Sequence, residues 1–373
     1  MSPRLRLLPL LAALGSVALA QETIKIGEYS SLTGKEASFG QSSHHGIVLA
    51  VEEINAAGGV LGKKIELITE DNQTKPGESA TVVNKLISRD KVVALIGEVA
   101  SGRSLEAAPI AQRSRIPMIA PAATNPKVTE TGNYIFRVCF IDPFQGTAMA
   151  KFAEDTLKVK KVAIASSVSS AYSVGLARFF RETFTAGGGT ITAEQKFSEG
   201  DKDFRAQLTA IRASGAEAVF VPAYYTEAAL LIRQARDLGM TMPFFGGDGW
   251  EAPQLLEIGG AAMNGTYYST HFSAENKEPV VADFVARYKA RWDGEVPGAF
   301  SALGYDSVYV LVDAIKRAGT TDGPKLRDAI AQTKGFAGVT GITTINAQRD
   351  ATKPAAIIAV RDGKLEFLKT VAP

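Results

Sequence analysis

A rhythm constrains this chain more than any single motif. Short apolar runs such as VVALIG (92–97) and PMIA (117–120) alternate with longer amphipathic stretches, and the alternation occurs twice. A run with no polar side suits a strand buried on both faces, as in a parallel sheet covered by helices. In the first half the pattern reads as a strand at TIKIGEYS (23–30). A helix from Gly40 to Ala56 follows, with Ile47, Val51 and Ile54 near helical spacing. Then come a strand at KIELITED (64–71), a helix opened by Pro76, the strand VVALIG, a helix through Leu105 and Ile110, and PMIA. After YIFRVCFIDPFQG the rhythm restarts, with a helix from Thr147 to Leu157 and the strand KVAIASS (161–167). A helix from Tyr172 to Ala186, the strand TITAEQKF, a helix through Phe204, Leu208 and Ile211, the strand EAVFVPA, a helix from Leu230 to Leu238 and PFFGG complete it. The chain is predicted to be α/β, with two βαβ lobes joined by short extended crossings. The last third is less regular. Helices are expected at 279–292, 301–318 and 324–333, and a closing hairpin around Asp362-Gly363.

The N-terminus is a separate element. Arg4 and Arg6 precede an apolar run that ends in Ala18-Leu19-Ala20, the pattern of a signal peptide (1–20) cleaved after Ala20. The run is shorter than the ~20 residues a spanning helix needs. Without its leader the chain carries 39 basic and 39 acidic residues and no long basic run. Nucleic acid and anionic membranes are therefore poor partners. The lone cysteine, Cys139, allows no internal disulfide.

Catalytic patterns are missing. His44 and His45 are adjacent and point about 100° apart on a helix, so they cannot share a metal as i, i+4 histidines do. With His271 they read as solvated or packed side chains, and no metal or cofactor is expected. GGVLGKK has the wrong glycine spacing for a phosphate loop and lacks the following Ser or Thr. Gly187-Gly188-Gly189 reads as a helix end. Neither a dinucleotide fingerprint at the first βα turn nor a G-x-S-x-G elbow occurs. An enzyme on a similar α/β frame would need a nucleophile–base pair or a phosphate loop, and the chain offers neither.

Ligands of parallel α/β sheets bind beyond the carboxyl ends of strands. In the first half those ends are EVASGRS and PAATNP. Ser101 suits an N-cap, and the helix start behind it offers free N–H groups to a cap or to a carboxylate. Ala122 and Ala123 permit close approach to the backbone, Thr124 can donate and accept, and Asn125-Pro126 suits a cap and first-turn pair. In the second half the ends are SSVSSAYSVG, PAYYTE and FFGGDGW, which offer Tyr172, Tyr224, Tyr225 and Asp248. Aromatic side chains there suit packing or an amphipathic ligand. Asp248, between glycines, is a turn residue or the partner of an ammonium.

Many segments in order, among them IKIGEYSSLTGKEASFG, EEINAAGGVLGKKIEL, IGEVASGRS, PMIAPAATNPKVT, YSVGLARFF and LIRQARDLG with FFGGDG, carry a resemblance over the whole mature chain. The chain resembles the type I periplasmic solute-binding proteins of ABC importers, in particular the leucine/isoleucine/valine-binding group. The resemblance implies two Rossmann-like lobes joined by three crossings, the ligand between them. It implies a first lobe of residues 21–141 plus 271–350 and a second of 142–270 plus 351–373. It gives Ser101 and Thr124 the ligand carboxylate. Backbone around Ala122 and Ala123, the Thr124 hydroxyl and Asp248 receive the ammonium. Phe39, Val99, Ala100, Tyr172, Tyr224 and Phe300 form the side-chain pocket. Three residues depart from the group. Asp248 stands for a glutamate, Phe39 for a tyrosine, and Ala100 for a cysteine that forms a disulfide in some members. The implied function is a monomeric, periplasmic, non-enzymatic receptor that hands an amino acid, most readily a branched-chain one, to the transmembrane subunits of an ABC permease. Receptors for amides, urea or aromatic acids share the scaffold, and a binding module feeding a sensor is the other alternative.

Overall fold

A computed structural model describes residues 22–373, so the signal-peptide expectation for residues 1–20 lies outside the described residues. Five strands, β1 (Ile24–Ser30), β2 (Ile65–Asp71), β3 (Ala94–Ile96), β4 (Met118–Ala120) and β5 (Ile135–Arg137), form a parallel sheet in the order β2-β1-β3-β4-β5. A second sheet repeats that order with β6 (Lys161–Ser167), β7 (Thr190–Phe197), β8 (Ala218–Phe220), β9 (Phe244–Gly246) and β10 (Tyr267–Thr270). It gains β13 (Ala355–Arg361) and β14 (Lys364–Val371) as an antiparallel edge, after a small hairpin β11 (Phe336–Gly338) and β12 (Gly341–Thr343). Strand order reverses between β1 and β3 and again between β6 and β8. Each reversal opens a crevice at the carboxyl ends of the strands.

The helices are α1 (Ala37–Ala56), α2 (Glu78–Ser88), α3 (Ser101–Ser114), α4 (Lys127–Glu130), α5 (Asp142–Asp155), α6 (Ala171–Ala186), α7 (Arg205–Ala213) and α8 (Tyr225–Asp237). They continue as α9 (Gln254–Gly259), α10 (Pro279–Arg291), α11 (Ala299–Ala318) and α12 (Gly323–Ala331). The chain passes between the lobes three times, near residues 138–141, 271–274 and 350–354. None of the described helices is long and apolar enough to cross a membrane.

Most expected elements appear, with their ends displaced. The helix placed at Pro76 starts at Glu78, because Gly77 takes a left-handed conformation (φ 80°) that the helix cannot contain. The helix placed at Thr147 starts at Asp142, with Pro143 in its first turn, and stops before Leu157. VVALIG narrows to three paired residues. The closing hairpin turns at Asp362 (φ 49°) and Gly363 (φ 72°), the paired positive angles that the Asp-Gly sequence favours.

The packing of α1 on α11 positions the site. A Cβ on Gly46 of α1 would overlap the Ser301 carbonyl of α11. The missing side chain lets the two backbones touch. That contact sets Phe39 on α1 against Phe300 on α11, ring centroids 5.0 Å apart and nearly perpendicular.

Candidate functional site

The site starts with the turn after β3. Glu98 is buried there, and its carboxylate accepts from the N–H groups of Ser31 (2.7 Å) and Ala100 (2.9 Å) and from Asn72 Nδ2 (3.2 Å). Burial raises its pKa, and these hydrogen bonds oppose the rise. Glu98 thereby takes the N–H at the start of α3. This corrects the capping role expected of Ser101. The N-cap is Ala100, Ser101 is the first helical residue, and its hydroxyl accepts from Asn125 N–H at 3.2 Å. Ser101 thus ties the β3 turn to the β4 turn.

The β4 turn, Pro121 to Pro126, is held from below by Arg137, which is fully buried. Its guanidinium donates to the Ala123 carbonyl, to the Asn125 carbonyl (2.9 Å) and to Thr129 Oγ1 (2.9 Å), and it pairs with Asp350 at 2.7 Å. Asn125 Oδ1 accepts from Lys127 N–H (3.0 Å), the cap its sequence position suggested. The Thr124 carbonyl accepts from Asp142 N–H at 3.0 Å. Asp142 is fully buried at the start of α5, and burial first, then the nearby Asp248 charge, pushes its carboxyl up to about 8.

The second lobe supplies Tyr172, Tyr224 and Asp248. Tyr172 and Tyr224 stack with centroids 5.2 Å apart, and Phe39 meets Tyr224 edge-on at 5.2 Å. The Tyr172 hydroxyl accepts from Gly249 N–H at 3.0 Å. A Cβ on Gly249 would lie 2.8 Å from the Tyr172 ring, so only glycine allows this approach. Asp248 has partners of its own within the chain. Its Oδ1 accepts from Gln145 Nε2 (2.8 Å), and its Oδ2 lies 2.9 Å from His271 Nε2.

These residues enclose a small, tightly closed cavity between the lobes. It is lined by Phe39, Val99, Ser101, Ala122, Thr124, Tyr172, Tyr224, Asp248, Gly249 and Phe300. Nine of the predicted residues are therefore together, and Gly249 joins them. Ala100 and Ala123 do not line it. Ala100 is turned into the helix start by its bond to Glu98, and Ala123 packs in the first-lobe core under the Arg137 contact. The lobes are shut over the cavity. Asn125 Nδ2 donates to the Ala171 carbonyl (2.7 Å), Ser38 Oγ to Gln254 (2.6 Å) and Tyr225 Oη to the Lys35 carbonyl (2.8 Å), while Lys35 pairs with Glu199 (2.9 Å). A larger groove runs past Ser38, Glu251, Val296 and Phe367, and contains none of the predicted residues.

Among the described residues no group of three or more His, Cys, Asp or Glu could hold a metal. His44 pairs with Glu28 (2.7 Å), and His45 stacks on Trp292 at 3.9 Å. Sequence reasoning missed Glu98, Arg137, Gln145 and the role of His271. Arg137 did leave a signal, a guanidinium inside the apolar run YIFRVCF. Gln145 left none.

Residues 23–364 match the family described as periplasmic binding protein. The chain belongs to the periplasmic binding protein family. This binding protein is 32% identical over 362 residues to "Leu/Ile/Val-binding protein homolog 3" of Brucella melitensis, covering 96% of this chain and 97% of that one. Its fold superposes on the leucine binding protein LivK of Thermotoga maritima with a TM-score of 0.91 and 41% identity, over 94% of this chain and 99% of that one. On LivJ of Streptococcus pneumoniae, solved with isoleucine, the TM-score is 0.89 and the identity 35%, over 94% and 100%. The two-lobed α/β architecture and the assignment to binding and not catalysis follow from this membership.

Proposed function

We propose that this binding protein is the extracytoplasmic receptor of an ABC importer and takes an amino acid, most readily a branched-chain one, between its lobes. One observation carries the reading. The shut cavity sets two hydroxyls, Ser101 and Thr124, and the first turn of α3 on one lobe, and a single carboxylate, Asp248, with a wall of four aromatic rings, around the same space. A zwitterion matches that arrangement. Its carboxylate suits the hydroxyls and the helix start, its ammonium suits Asp248, and its side chain suits Phe39, Tyr172, Tyr224 and Phe300. Burying both ligand charges is favourable only when each is paired. The aspartate at 248 is one methylene shorter than the glutamate of the branched-chain group, which shifts the ammonium toward the β9 turn and tunes the choice among similar side chains by ~1–3 kcal/mol.

The lobes divide as 21–141 plus 271–350 and 142–270 plus 351–373, a reading supported by the separate sheets and the three passages of chain. The leader is removed after Ala20, the mature protein works in the periplasm as a monomer, and the closed form is handed to the permease.

Calorimetry on ligand-stripped protein against all amino acids, several amides and aromatic acids tests the ligand class. Tight binding of Leu, Ile or Val is expected, at about −8 kcal/mol for micromolar affinity. Binding confined to amides or aromatic acids would overturn it. Thr124→Ala and Asp248→Ala test the head-group site. Loss of a buried charge partner costs ~2–5 kcal/mol, so Asp248→Ala is expected to weaken binding at least 30-fold. Unchanged affinity in both variants would remove the site.

A further inference from the structure

Asp248 is supported by a residue that does not line the cavity. His271 is buried, follows β10 directly and begins the second passage of chain between the lobes. Its ring stacks on Phe140 of the first passage, centroids 3.7 Å apart. Its Nε2 lies 2.9 Å from Asp248 Oδ2, and its Nδ1 is buried with no hydrogen-bond partner. A carboxylate only accepts, so Nε2 carries the hydrogen. A second proton on Nδ1 would be a buried charge without an acceptor, which the interior penalises. The ring is therefore the neutral Nε2–H tautomer. The other donor to Asp248, Gln145, is also neutral. Asp248 is thus held by neutral groups, and among the described residues no guanidinium or ammonium pairs with it. Its charge is held in place without being cancelled.

We propose that His271 is a positioning residue for ligand recognition: by donating Nε2–H to Asp248 Oδ2 while staying uncharged, it anchors the carboxylate to the hinge and keeps it negative, so that the ligand must bring its own ammonium. This rests on the amino-acid reading of the cavity. Asp248 on the β9 turn and Lys353 on the third passage act on the ring, and Asp142 at the start of α5 and the Cys139 thiol act on Asp248. Burial lowers the His271 pKa, Lys353 lowers it further, and Asp248 opposes both. Burial pushes the Cys139 thiol up to about 12, so it stays neutral. Protonating His271 would place a cation on Asp248 in competition with the ligand ammonium. Affinity should therefore fall as pH drops below the ordinary histidine range.

The test compares wild type, His271→Gln and His271→Asn by calorimetry. The probes are the tightest-binding amino acid of the screen above and its des-amino analogue. A glutamine amide reaches the position of imidazole Nε2, whereas an asparagine amide reaches only that of Nδ1. The asparagine variant is expected to bind the amino acid at least ten-fold more weakly, with a smaller ratio between the amino acid and its des-amino analogue. The glutamine variant should recover most of both. Below the ordinary histidine range, between pH 6 and pH 4, the wild type should lose affinity that the glutamine variant retains, a difference that cancels the titration of Asp142 and other acids common to both proteins. An asparagine variant that unfolds like wild type yet binds with wild-type affinity and selectivity would overturn the proposal. So would identical pH profiles for wild type and the glutamine variant, which decide the matter if the asparagine variant does not fold. A wild type that binds no amino acid would overturn the head-group reading itself, and the proposal with it.

Discussion

Arg137 shows how much one buried residue can organise. It is fully buried, ion-paired to Asp350 and bonded to the turn that carries Ala122 and Thr124. Removing one partner of such a pair leaves the other charge uncompensated. Arg137→Ala is expected to cost ~3–5 kcal/mol in chemical denaturation. Any protein that still folds should bind ligand more weakly, because Thr124 loses its support. Asp142 makes a different prediction. Its folded carboxyl titrates near 8 against an ordinary 3.8, so the native state holds a proton that the unfolded chain releases between those values. A raised pKa contributes stability that is present at acid pH and is lost as pH rises toward 8. Asp142→Asn should remove that loss. Thermal unfolding at pH 5, 6, 7 and 8 should show the variant gaining on wild type at each step. The residues at the strand ends were legible because Ser, Thr, Tyr and Asp stand out beside apolar runs. Glu98, Gln145 and His271 were not, since their partners lie 67, 103 and 23 residues away in the chain.

Among elements, the contact of α1 with α11 matters most for the site. Both helices were evident from their periodicity, but their close approach was not, because a glycine in a helix looks like a weak propensity until its neighbour is known. Gly46→Ala should force the α1 and α11 backbones apart. Overpacking of this kind costs ~1–3 kcal/mol, checked by denaturant titration. Because Phe39 and Phe300 ride on the two helices, ligand affinity should fall as well. The expected start of α3 was right to within a residue, yet the capping chemistry there was not. Ser101 was the natural candidate by local spacing, and a carboxylate three residues earlier took the N–H instead.

For the whole molecule, closure joins a half-exposed ion pair, Lys35 with Glu199, to a buried aromatic seam in which Phe39 meets Tyr224, Tyr225 and Phe300. Solvent screens the first, and surface pairs contribute at most ~1 kcal/mol. Lys35→Ala is expected to change ligand affinity by no more than about five-fold, whereas Phe39→Ala, which removes an aromatic wall of the cavity, should weaken it far more. Calorimetry on the two variants separates these contributions, and a larger effect from Lys35→Ala would refute the ordering. The alternation of apolar and amphipathic runs was enough to determine two parallel-sheet lobes, since period and burial are local properties of a chain. So were the strand ends, where any ligand of such a sheet must bind. The tertiary structure alone decided which of those ends face one another, which carboxylate is held by neutral donors, and which of the small residues reach the cavity. Those are contacts between residues far apart in sequence, and no local periodicity encodes them.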